Sequence, residues 1–185
     1  TGFPLFKMLE HWDGGIDRHR IPLSGESFAV DAIDGLSFTA IPVTGKAPPY
    51  SPHRNDAHIG DNIGIKIVEV CTGKSVFYAP GLGEITDETR QLMSESDCLL
   101  VDGTFWSENE MQKVGLGNKL ASDMGHLPQS GTGGMLEVLR PMEKPRKILI
   151  HINNTNPILN EESEQRLKVV AEGIEVAYDG MEVEL

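Results

Sequence analysis

KILIHINNTNP, residues 147–157, decides how the rest of this chain is read. Residues 148–150 are an apolar run of strand length. His151, Asn153, Asn154 and Asn156 follow at once, before Pro157 stops the backbone from pairing further. An apolar run that delivers polar side chains to its end is how an α/β sheet places chemistry at the carboxyl ends of its strands. A solvated loop needs no such concentration of amides. A site that orients a metal, an anion or a polar substrate does.

Working outward, the other segments suit the same architecture. Residues 36–43 (LSFTAIPV) read as a strand, with Pro42 favouring an edge or an end. A polar, proline-rich loop, KAPPYSPHRNDAHIGD, leads to strands at 62–70 and 75–79, a hairpin around Cys71-Thr72-Gly73-Lys74. Thr86 is placed to cap a helix over 87–96. Residues 97–101 (DCLLV) form a second buried strand ending at Asp102. Ser107 suits a cap for a helix over 108–114, and MLEVLR closes a helical stretch within 130–140. An amphipathic helix over 161–172 precedes closing strands at 174–177 and 181–183, around the turn Asp179-Gly180. Residues 1–30 are weakly patterned, with turn signals at Gly2-Phe3-Pro4, Asp13-Gly14-Gly15 and Ser24-Gly25. A hairpin followed by alternating helices and strands predicts an α/β fold, a mixed β-sheet covered by helices, in one domain.

Composition narrows the partners. The 185 residues carry 16 Lys and Arg against 28 Asp and Glu, a net charge of −12. That argues against nucleic acid, whose phosphates require clustered cations. Neither a polybasic amphipathic segment nor an apolar run of membrane-span length occurs, and TGFPLFKML lacks a signal-peptide layout, so no membrane partner is expected. Cys71 and Cys98, both in apolar surroundings, read as reduced core thiols, which suits a cytoplasmic protein.

Asp102 at the end of one apolar strand and His151 at the end of another make a joint metal site more credible than either alone. A single strand-end Asp is as often a turn cap, and a single strand-end His is more often a hydrogen-bonded core residue. His126, in Met124-Gly125-His126, is a candidate acid or base, and Gly125 would let the backbone approach closely. His58, nearer a strand start than His53, is the better of the two loop histidines. Asn153, Asn154 and Asn156, with Thr104 near Asp102, are candidate substrate contacts or supports for the His151 loop. Residues 78–83 (YAPGLG) make a tight strand-to-helix turn rather than a phosphate loop.

YAPGLG, LLVDGTFW (99–106), MGH (124–126), GGMLEVL (133–139) and HINNTNPIL (151–159) together resemble the metallo-β-lactamase fold and, within it, the pyrroloquinoline quinone (PQQ) synthesis B family of bacteria. The resemblance implies part of an αβ/βα sandwich with metal ligands Asp102, His151 and His58, and His126 as acid or base. It implies a divalent metal, iron before zinc or manganese, and hydroxylation of a precursor derived from Glu and Tyr. Carriage of PQQ or its precursor, or metal-dependent hydrolysis, are the alternative activities. The fold's H-x-H-x-D-H motif and the family's cysteine cluster do not occur here. Residues 1–185 are therefore expected to be the C-terminal portion of a longer domain, inactive alone, with an exposed apolar face that favours homo-oligomers.

Overall fold

Seven strands lie side by side in chain order in one mixed sheet. The computed structural model describes residues 4–13, 15–17, 19–47, 51 and 53–185. A short helix α1 (Pro4–Leu9) precedes β1 (Ser27–Phe28), β2 (Leu36–Pro42), β3 (Ile63–Glu69) and β4 (Ser75–Ala79). Helix α2 (Asp87–Glu95) leads into β5 (Cys98–Asp102), and short helices α3 (Glu110–Lys113), α4 (Ala121–Met124) and α5 (Met135–Leu139) lead to β6 (Arg146–Ile150). A 3₁₀ turn (Pro157–Leu159) and α6 (Glu164–Ala171) precede β7 (Glu175–Val176). Strands β1 to β4 pair antiparallel, and β4 to β7 pair parallel. No helix among the described residues is long and apolar enough to cross a membrane.

The parallel half explains where the core sits. Parallel crossovers are right-handed, and when each steps the same way along the sheet the connecting helices fall on one face. The register bears this out. Phe77 lies opposite Leu99, Ala79 opposite Val101, and Leu149 between Val101 and Val176. This row packs against Met93 of α2, Met135 and Leu139 of α5, Ile158 of the 3₁₀ turn and Val169 of α6. The alternate row buries Cys98 and Ile148 but leaves Ile65, Ile67, Val76, Leu100 and Ile150 half-buried and Tyr78 41% exposed. One face is a dry core and the other is an apolar surface only partly covered.

Local chemistry accounts for the element ends. The Thr86 hydroxyl accepts from the Thr89 amide at 3.1 Å, capping α2 as its sequence requires. Ser163 does the same for α6, through the Arg166 amide. At the amino ends of the strands, Asp97 accepts from the Ser75 amide at 2.9 Å and hydroxyl at 3.1 Å, with Lys144 3.4 Å away. Burial pushes the Asp97 carboxyl up, but these donors and the Lys144 charge outweigh it and hold it below its ordinary value.

Four expectations need correction. The helix expected over 108–114 shrinks to Glu110–Lys113, because Gly115 turns left-handed (φ 70°) and Glu110 is drawn back to the Trp106 amide. The Ser107 hydroxyl does not cap it but accepts from Lys113 Nζ. No strand forms at 181–183, since β7 pairs over two residues and offers too little ladder to continue. Cys71 is exposed on its hairpin turn, and only Cys98 is buried. The weakly patterned first thirty residues hold α1 and β1; Gly2, Phe3 and Gly14 of the expected turns, and positions 48–50 and 52 of the proline-rich loop, lie outside the described residues.

Two outcomes follow from this arrangement. Leu99→Ala, on the helix-covered face, is expected to cost about 3–5 kcal/mol in urea unfolding, and the neighbouring Leu100→Ala clearly less. Equal losses would contradict the two-faced sheet. Because the Asp97 carboxyl is depressed, its stabilisation is present above the ordinary Asp range and is lost as pH falls through it toward the depressed value. Asp97→Asn should therefore lower the urea midpoint at pH 7 and flatten its decline between pH 5 and pH 2.

Candidate metal centre

The carboxyl ends of β5 and β6 meet at Asp102 and His151. Asp102 is fully buried and its carboxylate accepts four hydrogen bonds. Oδ1 takes the Thr104 amide at 3.0 Å and the Thr104 hydroxyl at 2.5 Å. Oδ2 takes the Leu82 amide at 2.9 Å and His126 Nδ1 at 2.7 Å. Four donors fill the acceptor capacity of a carboxylate. A buried anion is tolerable only when satisfied in this way. The YAPGLG turn thus has its use: it aims the Leu82 amide at Asp102.

Thr104 joins the two histidines. Its oxygen lies 3.1 Å from His126 Nδ1 and 2.8 Å from His151 Nδ1. The hydroxyl has one proton, and Asp102 Oδ1 receives it, so both imidazoles must donate from Nδ1. That tautomer leaves Nε2 of each ring as a lone pair. The rings stack with centroids 5.4 Å apart.

Two glycines make this approach possible. A Cβ on Gly103 would come within 2.7 Å of Ile152 Cδ1 and 3.0 Å of the Ile150 carbonyl, to which Gly103 donates. Gly125 is left-handed (φ 90°), and a Cβ there would meet the Lys46 amide at 2.7 Å. His151 itself is left-handed (φ 58°), an uncommon conformation for a residue with a side chain, held at the strand end by its surroundings.

Asp102, His126 and His151 each offer one ligand atom within 4.8 Å of the others. Two imidazoles and a carboxylate are a donor set for zinc, manganese and non-haem iron. The residues fit a divalent ion, and a cation reaching Asp102 would replace one of its four donors, the usual exchange of protons for metal.

The structure does not bring His58 to this group. His58 Nε2 lies 3.3 Å from Asp56 on an exposed loop, its ring centroid 4.7 Å from that of His53. The asparagines divide. Asn156 is 2% exposed, and its amide donates to the Gly103 and Thr104 carbonyls while its oxygen accepts from Ile158. Asn153 donates to Thr155, whose hydroxyl binds the buried Glu110 carboxylate. These two, with Thr104, brace the site from inside rather than facing a substrate. Asn154 alone of the three is exposed and lines a cavity with His151. Sequence reasoning overlooked Glu110 and also Gln129, whose buried amide donates to the Gly103 carbonyl at 2.6 Å. Glu110 sits in a charged helix and looks solvent-facing, so no local signal distinguished it.

A helix-backed mixed sheet that gathers a carboxylate and two imidazoles at its parallel strand ends is a metal-site α/β architecture. The beta-lactamase superfamily domain model matches residues 1–152, and the chain belongs to that superfamily. Over its full length the chain is 59% identical to coenzyme PQQ synthesis protein B of Azotobacter vinelandii and 56% identical to that of Methylococcus capsulatus. It spans about 60% of the length of these relatives. A crystal structure of Zn(2+)-bound PqqB from Methylobacterium extorquens superposes with a TM-score of 0.84 at 33% identity, covering 94% of this chain and 57% of that one. A diphosphatase of the PhnP family shares the fold, with a TM-score of 0.56 at 16% identity over 96% of this chain and 50% of that one.

Thr104→Val removes the hydroxyl that bridges three side chains, whereas Thr104→Ser keeps it. The valine variant is expected to lose the fixed Nδ1–H tautomers, read from imidazole ¹⁵N shifts, and to weaken zinc binding about 10–100-fold. The serine variant should behave as the parent chain. A valine variant with unchanged tautomers would show that Thr104 does not set them.

Proposed function

We propose that this chain carries the metal-binding part of a protein of PQQ biosynthesis, and that the complete protein hydroxylates a precursor derived from Glu and Tyr. The observation that carries the reading is the convergence of Asp102, His126 and His151, in a chain 54–59% identical to several PQQ synthesis B proteins. Asp102 and His151 would hold a divalent cation. When bound, the cation supplies Lewis acidity and, as iron, the redox chemistry that oxygen insertion requires. His126 keeps its Nδ1 proton on Asp102 and offers Nε2 as an acid or base beside the substrate. The PqqB structure from Methylobacterium extorquens is Zn(2+)-bound, which supports a divalent metal for such a protein, and the choice of iron rests on the oxygen chemistry.

The test uses both this chain and a chain of the relatives' full length. The 185-residue chain is expected to take up metal weakly and to show no turnover. The longer chain loaded with Fe(II) is expected to consume oxygen and hydroxylate a tyrosine-derived substrate. Asp102→Ala and His151→Ala should each lower metal content at least tenfold, while His126→Gln should retain metal and lose turnover. Tight PQQ binding in the presence of chelator, with no oxygen uptake under any metal, would point to the carrier role instead.

A further inference from the structure

Gln129 follows His126 on the same loop, is fully buried, and uses only half of its side-chain amide. Nε2 donates to the Gly103 carbonyl at 2.6 Å, while Oε1 has no partner among the described residues. An unpaired buried amide oxygen is costly, and a methionine would fill the same space without that cost. The side chain is therefore retained for what its nitrogen does.

The backbone of the same residue completes the grip. The Gln129 amide donates to the Phe105 carbonyl at 2.9 Å, so one residue holds the turn after β5 on both sides of Thr104. Its own carbonyl accepts from the Leu136 amide of α5 at 3.1 Å, which ties the grip to the helix layer. Thr104 is the residue whose hydroxyl reaches Asp102, His126 and His151. The peptide group between Gly103 and Thr104 adds a direct route. Its oxygen accepts from Gln129 and, at 3.0 Å, from Asn156, and its N–H donates to Asp102 Oδ1. Resonance makes a peptide whose oxygen accepts a better donor at its nitrogen.

We propose that Gln129 is a positioning residue of the metal centre, fixing the Thr104 turn against the loop that carries His126. It acts through the Gly103 carbonyl, and the assignment rests on the reading of Asp102, His126 and His151 as that centre. On the other side of the same loop, the Leu127 amide donates to the Leu82 carbonyl at 2.6 Å. His126 is thus held between the turn that serves Asp102 and the turn that carries Thr104.

The test separates positioning from support of the fold. In the ¹⁵N-labelled 185-residue chain with chelator, Gln129→Met keeps the volume and removes both the bond to Gly103 and the unpaired oxygen. Its urea midpoint is expected to equal or exceed that of the parent chain. The imidazole ¹⁵N shifts of His126 and His151 are expected to move from the fixed Nδ1–H form toward a mixture of tautomers. Zinc binding, measured without chelator, should weaken about tenfold. Ser130→Ala removes the neighbouring bond to the Trp106 carbonyl and should leave tautomers and zinc affinity as in the parent. A Gln129→Met chain that is less stable or does not fold would assign Gln129 to the fold alone and overturn the proposal. So would parental tautomers in that variant. In the parent chain itself, a scalar coupling across the hydrogen bond from Gln129 Nε2 to the Gly103 carbonyl carbon is expected, and its absence is equally decisive. Zinc uptake by Asp102→Ala is read separately. Parental uptake there would sink the metal reading and leave the tautomer result, taken in chelator, standing.

Discussion

The arrangement depends on one buried carboxylate. Asp102 ends an apolar strand with no exposure to water, a position that would be costly for a charge without partners. Its four donors come from three separate stretches of chain: the turn after β4, the turn after β5, and the loop after α4. Satisfying this one group therefore fixes the relative placement of segments between twenty and twenty-four residues away in sequence. The histidines are oriented as a consequence, through the single proton of the Thr104 hydroxyl.

The sheet supplies the platform for that carboxylate. Parallel neighbours β5 and β6 end side by side, so Asp102 and His151 emerge at the same edge although 49 positions separate them in sequence. Gly103 lets the two chain exits pass at hydrogen-bond distance, and Asn156 and Gln129 hold the Gly103 carbonyl from behind. In the amide-rich loop, Asn156 spends its side chain on the backbone that carries Asp102 and Thr104, and Asn153 bonds to Thr155, which bonds to Glu110. Only its outermost member, Asn154, is left for a ligand.

The strands with strong apolar patterns were legible before any coordinates, as were α2 and α6 with their hydroxyl caps, because burial and capping are local signals. So were Asp102 and His151, each marked by an apolar run that stops at a polar group. His126 was legible only as a candidate, since a loop histidine after a glycine has many ordinary uses. The assignment of His58 to the same group came from resemblance, and in this structure its loop lies apart, paired with Asp56. The asparagines were read as substrate contacts or as supports for the His151 loop, because sequence shows that a side chain is polar but not which way it points.

Sequence by itself determined the α/β class, the alternation that builds one dry face of the sheet, and the two strand ends where chemistry is placed. These follow from hydrophobic period and turn residues, which act over a few positions of chain. Tertiary structure decided which polar groups are consumed and which remain free. Asn156 and Glu110 are buried and satisfied and Gln129 is buried with its amide nitrogen bonded to Gly103, while Asn154, Tyr178 and Asp179 line an open cavity. That division depends on hydrogen bonds between segments far apart in the chain, and no local pattern encodes their geometry. For the same reason, KILIHINNTNP announced a site, but only the fold shows that most of its amides hold the site together.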